Sequence, residues 1–166
     1  MPRYIPQLGH TKFIEHEDTP NSYVGQSGKV VAVKTSEDAL EFIALKSLKT
    51  ARGSLNFTGT GTYTFTTGFK PLLIFLFTSV EGTSGEGSCC FGSATDPDHQ
   101  CCSFFTSIGV AGGESTKLIR NTDMSGTTTF LQGVLTAILS DGFQITITTY
   151  VGINRNSCVW VAIGFE

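Results

Sequence analysis

The chain has 166 residues, of which 40% are apolar and 15% charged, with a formal net charge of −3. That length supports one domain with a real core. The slight acidity excludes an electrostatic nucleic-acid binder, which would cluster Lys and Arg. Nineteen Gly and thirteen Phe, set among many Thr and Ser, favour strands joined by glycine turns.

Residues 1–16 read as an extended arm. Pro2 and Pro6 keep the backbone open, and Tyr4, Ile5, Leu8, Phe13 and Ile14 are apolar anchors with no helical or alternating period. Such a segment cannot bury its own side chains, so the reading favours a docking arm over a disordered one. No apolar run or cleavage site marks a secretory signal, which fits synthesis in a cytoplasm.

Residues 17–50 form a compact module. Asp18 to Ser22 and Gly25 to Gly28 are dense in turn formers, and Lys29 to Val33 reads as a short strand. Two continuations then compete. Thr35-Ser36-Glu37-Asp38 is either a hairpin tip before a return strand at Leu40–Ile43, or the start of a helix capped by Ser36. Local chemistry slightly prefers the helix.

The run from Asp18 to Phe42, Asp-Thr-Pro-Asn-Ser-Tyr-Val-Gly-Gln-Ser-Gly-Lys followed by Val-Val-Ala-Val, a polar tip and Ala-Leu-Glu-Phe, resembles a short module of tail-fibre and other virion-surface proteins of tailed bacteriophages. Ala39 stands where glycine is common there. The resemblance implies a β-hairpin packing against copies of itself in a homotrimer, with Tyr23, Val31, Val33, Leu40 and Phe42 at the trimer interface. It moves the expectation for 29–43 to a hairpin, leaving a helical turn over Ala44–Thr50.

Ala51-Arg52-Gly53-Ser54 reads as a domain boundary. Thr62 to Thr66 alternates aromatic and Thr, as a half-buried strand does. Leu72 to Phe77 is six consecutive apolar residues after Pro71, far short of the about 20 that span a bilayer. It is expected as a central strand buried on both faces. Glu81 to Ser88 is expected as an exposed loop, Cys89–Ala94 and Cys101–Ile108 as strands, Val110–Ser115 as a second glycine loop, and Lys117–Arg120 as an edge strand. A strand within Thr127–Ser140, a tight turn at Asp141-Gly142 and a half-buried strand from Phe143 follow. Asn154 to Asn156 reads as a turn, and Ser157–Phe165 as a closing strand, apolar on both faces and hence central or covered by a neighbouring subunit. The architecture expected for 51–166 is an antiparallel β-sandwich, jelly-roll-like. Its glycine loops and terminal Val-Trp-Val-Ala-Ile-Gly also resemble, more loosely, C-terminal domains of phage virion proteins.

No chemistry emerges. The five cysteines include two adjacent pairs, Cys89-Cys90 and Cys101-Cys102, in which one member of each is expected to face inward as a packed thiol. Asp96, Asp98, His99 and these cysteines are metal-ligand types without a zinc or calcium spacing. No nucleophile elbow or phosphate-binding loop is present. Catalytic, cofactor and metal residues are therefore assigned as none. The function that the resemblance implies is a non-enzymatic structural protein of the virion surface, expected to be made in the host cytoplasm without nucleic-acid binding or membrane insertion. It would be a short homotrimeric head fibre or capsid decoration held to other virion proteins by its arm. The alternative is a receptor-binding tip reading host-surface glycan through loops 81–88, 95–100, 110–116 and 152–156.

Overall fold

A computed structural model describes residues 19–20, 22–83, 85, 87–123 and 128–165. The proposed arm and its anchors Tyr4, Ile5, Leu8, Phe13 and Ile14 lie outside the described residues. Among the described residues every regular element is a strand, so the fold is all-β. The chain divides into two compact units, Met1–Lys46 and Ser47–Glu166.

In the first unit, β1 (Lys29–Val33) and β2 (Leu40–Ala44) pair antiparallel as a hairpin. The helix alternative fails at its tip. Lys34 donates its amide to the Ala39 carbonyl at 2.9 Å, and Glu37 takes φ of 60°, a left-handed conformation that ends any right-handed turn. Ser36 Oγ donates to Asp38 at 2.5 Å instead of capping an amide.

The second unit is a sandwich of antiparallel sheets. One has four strands in the order β4-β11-β10-β9, the other six in the order β3-β12-β5-β6-β7-β8. Their ranges are β3 Leu48–Leu55, β4 Gly61–Thr66, β5 Pro71–Gly82, β6 Gly87–Ala94, β7 Gln100–Thr106, β8 Ala111–Glu114, β9 Ile119–Thr122, β10 Thr129–Ile138, β11 Gly142–Tyr150 and β12 Ile153–Phe165.

Several expectations are corrected by strand pairing. The boundary at 51–54 is the middle of β3, and no helical turn spans 44–50. β3 pairs with β12 from Leu48 onward, so Leu48 to Thr50 belong to the sandwich. Gly53 is there for its lack of a side chain: a Cβ would lie 2.7 Å from the indole of Trp160, its partner across the ladder. The loop at 81–88 contracts to a turn, because β5 and β6 pair as far as Glu81 and Gly87. The glycine loop at 110–115 contains β8, which pairs antiparallel with β7. Asn154 to Asn156 lies inside β12. Asn156 clasps the backbone of Phe57, accepting from its amide at 2.7 Å and donating to its carbonyl at 2.9 Å.

The core lies between the sheets. Ile74, Leu76 and Val80 of β5 and Cys158, Trp160 and Ala162 of β12 meet Phe65, Leu131, Leu135, Phe143, Ile145 and Ile147 of the other sheet. Phe65 and Phe143 stack at 4.6 Å, and each presents to Trp160 edge-to-face at 5.8 and 5.5 Å, geometries favoured by ring quadrupoles. Polar side chains also tie the sheets. Gln100 of β7 accepts from the Leu135 amide at 2.8 Å and donates to its carbonyl at 3.3 Å. Thr78 donates to buried Asn121 at 2.7 Å, which donates in turn to the Ser88 carbonyl. Gly92 lets the Leu118 carbonyl approach β6 where any Cβ would overlap it.

The central strand β5 is buried on one face only. Phe77 points away from the core and is 51% exposed, which corrects the two-faced burial expected of the Leu72–Phe77 run. A continuous apolar run marks faces that avoid water, and it does not say whether this chain or another molecule covers them.

Candidate self-association surface

Cross-strand register decides which side chains of the hairpin act together, since directly opposed residues share a face. Val31 opposes Phe42, and Val33 opposes Leu40. Tyr23 reaches the same side from the turn before β1, its ring edge-on to Phe42 at 5.7 Å. Its position is set by two successive turns, Gln26 amide to Tyr23 carbonyl and Lys29 amide to Gln26 carbonyl, both 3.1 Å. Gly25 and Gly28 supply the positive φ these turns need. The structure thus brings together all five residues named for an interface. Leu40 and Phe42 are half-buried, while Tyr23, Val31 and Val33 are exposed within the single chain. The other side adds Val30 opposite Ile43, both exposed. An isolated two-stranded sheet is marginal at best in water. This one turns apolar side chains outward on both faces.

The cysteines are free thiols. Cys90, Cys102 and Cys158 are buried, Cys89 is half-buried and Cys101 exposed, so one member of each adjacent pair does face inward. Cys90 opposes Phe104 and Cys102 opposes Gly92, which makes the two buried thiols diagonal neighbours. The Cys102 thiol bonds to Cys90 and so is pushed well up, with burial adding to the effect. The same bond, together with the Arg120 amide donating at 3.3 Å, pulls Cys90 down. Burial alone pushes Cys158 up to about 12.

The loop after β6 keeps the polar character read from its sequence. Asp96 accepts from the amides of Asp98 and His99 at 2.9 and 3.0 Å, and its carboxylate lies 2.9 Å from His99 Nδ1. The His99 bond holds the Asp96 carboxyl below its ordinary range. Beside this loop a shallow cleft of about 360 Å³ is lined by Leu73, Ser93, His99 and Cys101. Among the described residues no three His, Cys, Asp or Glu side chains gather as metal ligands would. None of those residues forms a helix long and apolar enough to cross a membrane.

No family model matches the chain, and no curated protein is significantly similar to it.

Sequence reasoning missed the clasps made by Gln100 and Asn156. Gln100 has a legible signal, because it shares the inward parity of Cys102 and Phe104 on β7. A polar residue at an inward position must find a buried partner.

Proposed function

We propose that this chain is a non-enzymatic structural protein of a tailed-phage virion surface, a short homotrimeric head fibre or capsid decoration attached through residues 1–16. One observation carries the reading. The residues that resemble the phage module fold as a hairpin whose Tyr23, Val31, Val33, Leu40 and Phe42 share one face. Among the described residues, Tyr23, Val31 and Val33 of this face stay exposed. Burying an aliphatic or aromatic side chain is worth about 1.5–3 kcal/mol, so copies meeting along this face gain what a lone hairpin lacks. The module's resemblance supplies the number three.

The test is position on the particle. Immunogold labelling of purified virions should mark the particle surface, and a chain lacking residues 1–16 should still associate with itself while failing to decorate. Absence of the full chain from purified particles would overturn the proposal. Normal decoration by the shortened chain would move the attachment elsewhere.

The receptor-tip reading retains the open loop 95–99 and the cleft beside it. Specific glycan binding on an array that is lost in His99→Ala would favour that reading over a purely structural role.

A further inference from the structure

We infer that the outer face of the six-stranded sheet is a second contact between copies of this chain, separate from the hairpin. The inference rests on the hairpin reading above and specifies what the sandwich does in the assembly.

The face is assembled by register. Across the ladder, Val159 opposes Phe77 and Phe77 opposes Phe91; one step along, Val161 opposes Phe75, and beyond it Ile163 opposes Leu73. Phe75 and Phe91 stack diagonally at 5.8 Å. The other outward positions nearby include Ser79, Ser93, Ser103, Cys89 and Cys101, small and uncharged. Phe77, Phe91 and Phe105 are each about half exposed, as is Val159. Taking roughly 200 Å² for a Phe side chain, the three rings alone leave about 300 Å² of apolar surface in water. With Val159 and the half-buried Leu73, Phe75, Val161 and Ile163, the face reaches on the order of 600 Å². That is the upper end of what a monomer exposes, and close to the roughly 800 Å² per partner of a standard interface.

The occupant follows from the linker. β2 ends at Ala44 and β3 begins at Leu48, so three residues join the hairpin to the sandwich, a reach of about 10 Å. Copies joined through their hairpins therefore hold their sandwiches at effective concentrations in the millimolar range. At that concentration, uncharged apolar faces of the same chain are one another's nearest partners. An acidic or basic partner finds little here to pair with, since the rows through Phe77, Phe91, Phe75 and Leu73 carry charge only at Arg52, on edge strand β3.

The experiment uses the full chain. In a Cys89→Ser background, which removes the thiol directly opposite position 79, Ser79→Cys places a thiol beside Phe77, and Thr148→Cys places a control on the exposed outer side of the four-stranded sheet. Maleimide labelling, read at each position by peptide mass spectrometry, should be about tenfold slower or more at position 79 than at the control, the protection that local burial gives. A Phe77→Glu/Phe91→Glu variant should lose mass in light scattering or become concentration-dependent. Equal labelling rates at positions 79 and 148 in an assembled chain, or a Phe77→Glu/Phe91→Glu variant of unchanged mass and melting temperature, would overturn this contact and leave the hairpin reading standing. A monomeric wild-type chain would overturn both. If the double variant does not fold, the labelling rates decide alone.

Discussion

The two outer faces of the sandwich obey one geometric rule with opposite chemistry. On the four-stranded sheet, the outward positions of β4, β11 and β10 are mostly Thr and Gln. They bond to each other in a ladder: Thr62 to Thr146 at 2.9 Å, Gln144 to Thr64 at 3.1 Å, Thr146 to Thr136 and Gln132 to Thr148 at 3.3 Å. On the six-stranded sheet the same positions hold Phe, Val, Leu and Ile among small Ser and Cys. Strand alternation decides only which side chains turn inward. The outward set decides whether a sheet can end in water. The Thr/Gln face can, and the Phe/Val face leaves on the order of 600 Å² of apolar surface in water, which costs about 25 cal/mol per Å².

The contrast can be sharpened by substitutions that separate burial within the chain from burial between chains. The largest effect belongs to the face already covered by its own chain. Trp160→Ala removes the ring that Phe65 and Phe143 pack against, and should cost about 3–5 kcal/mol at any protein concentration. Chemical denaturation at two concentrations checks this, and a cost that grows with concentration would mean that Trp160 acts between chains.

An intermediate effect comes from the same inward face in alkali. Burial pushes the Cys158 thiol up to about 12 from an ordinary 9.0. The folded state keeps a proton that the unfolded chain gives up, so this contribution is complete below about pH 9 and is lost as pH climbs towards 12. Cys158→Ala should flatten the fall in melting temperature over that window, and parallel alkaline profiles for the two proteins would contradict it.

The smallest effect belongs to the polar outer face. Thr146→Val removes bonds to Thr62 and Thr136 but keeps a β-branched residue in a position open to water. It should change stability by no more than about 0.5 kcal/mol, and a larger loss would mean that this face is covered too.

Much of the fold was legible because its period was: Tyr63 and Phe65 alternating with Thr, and Phe143, Ile145 and Ile147 alternating with Gln and Thr. What escaped was structure imposed by a partner strand. Ala-Gly-Gly-Glu has no preference for a strand, yet it becomes β8 because β7 offers it a ladder. Ala51 to Ser54 reads as a hinge, yet β12 recruits it and Trp160 requires its glycine. Asn154 to Asn156 carries turn residues, yet it extends β12 because Asn156 is needed on the Phe57 backbone. The candidate site was legible through a different route. Residues 29–43 alone allowed a helix, and the resemblance of 18–42 to a phage module pointed to the hairpin that the structure contains. The outward phenylalanines were harder to place, since their apolar run reads the same whether its cover comes from within the chain or from outside.

Sedimentation equilibrium or light scattering of the purified full chain tests the proposed homotrimer most directly. The proposal requires a single species of three times the 17.8 kDa chain mass, stable on dilution. A species of one chain mass at micromolar concentration would contradict it.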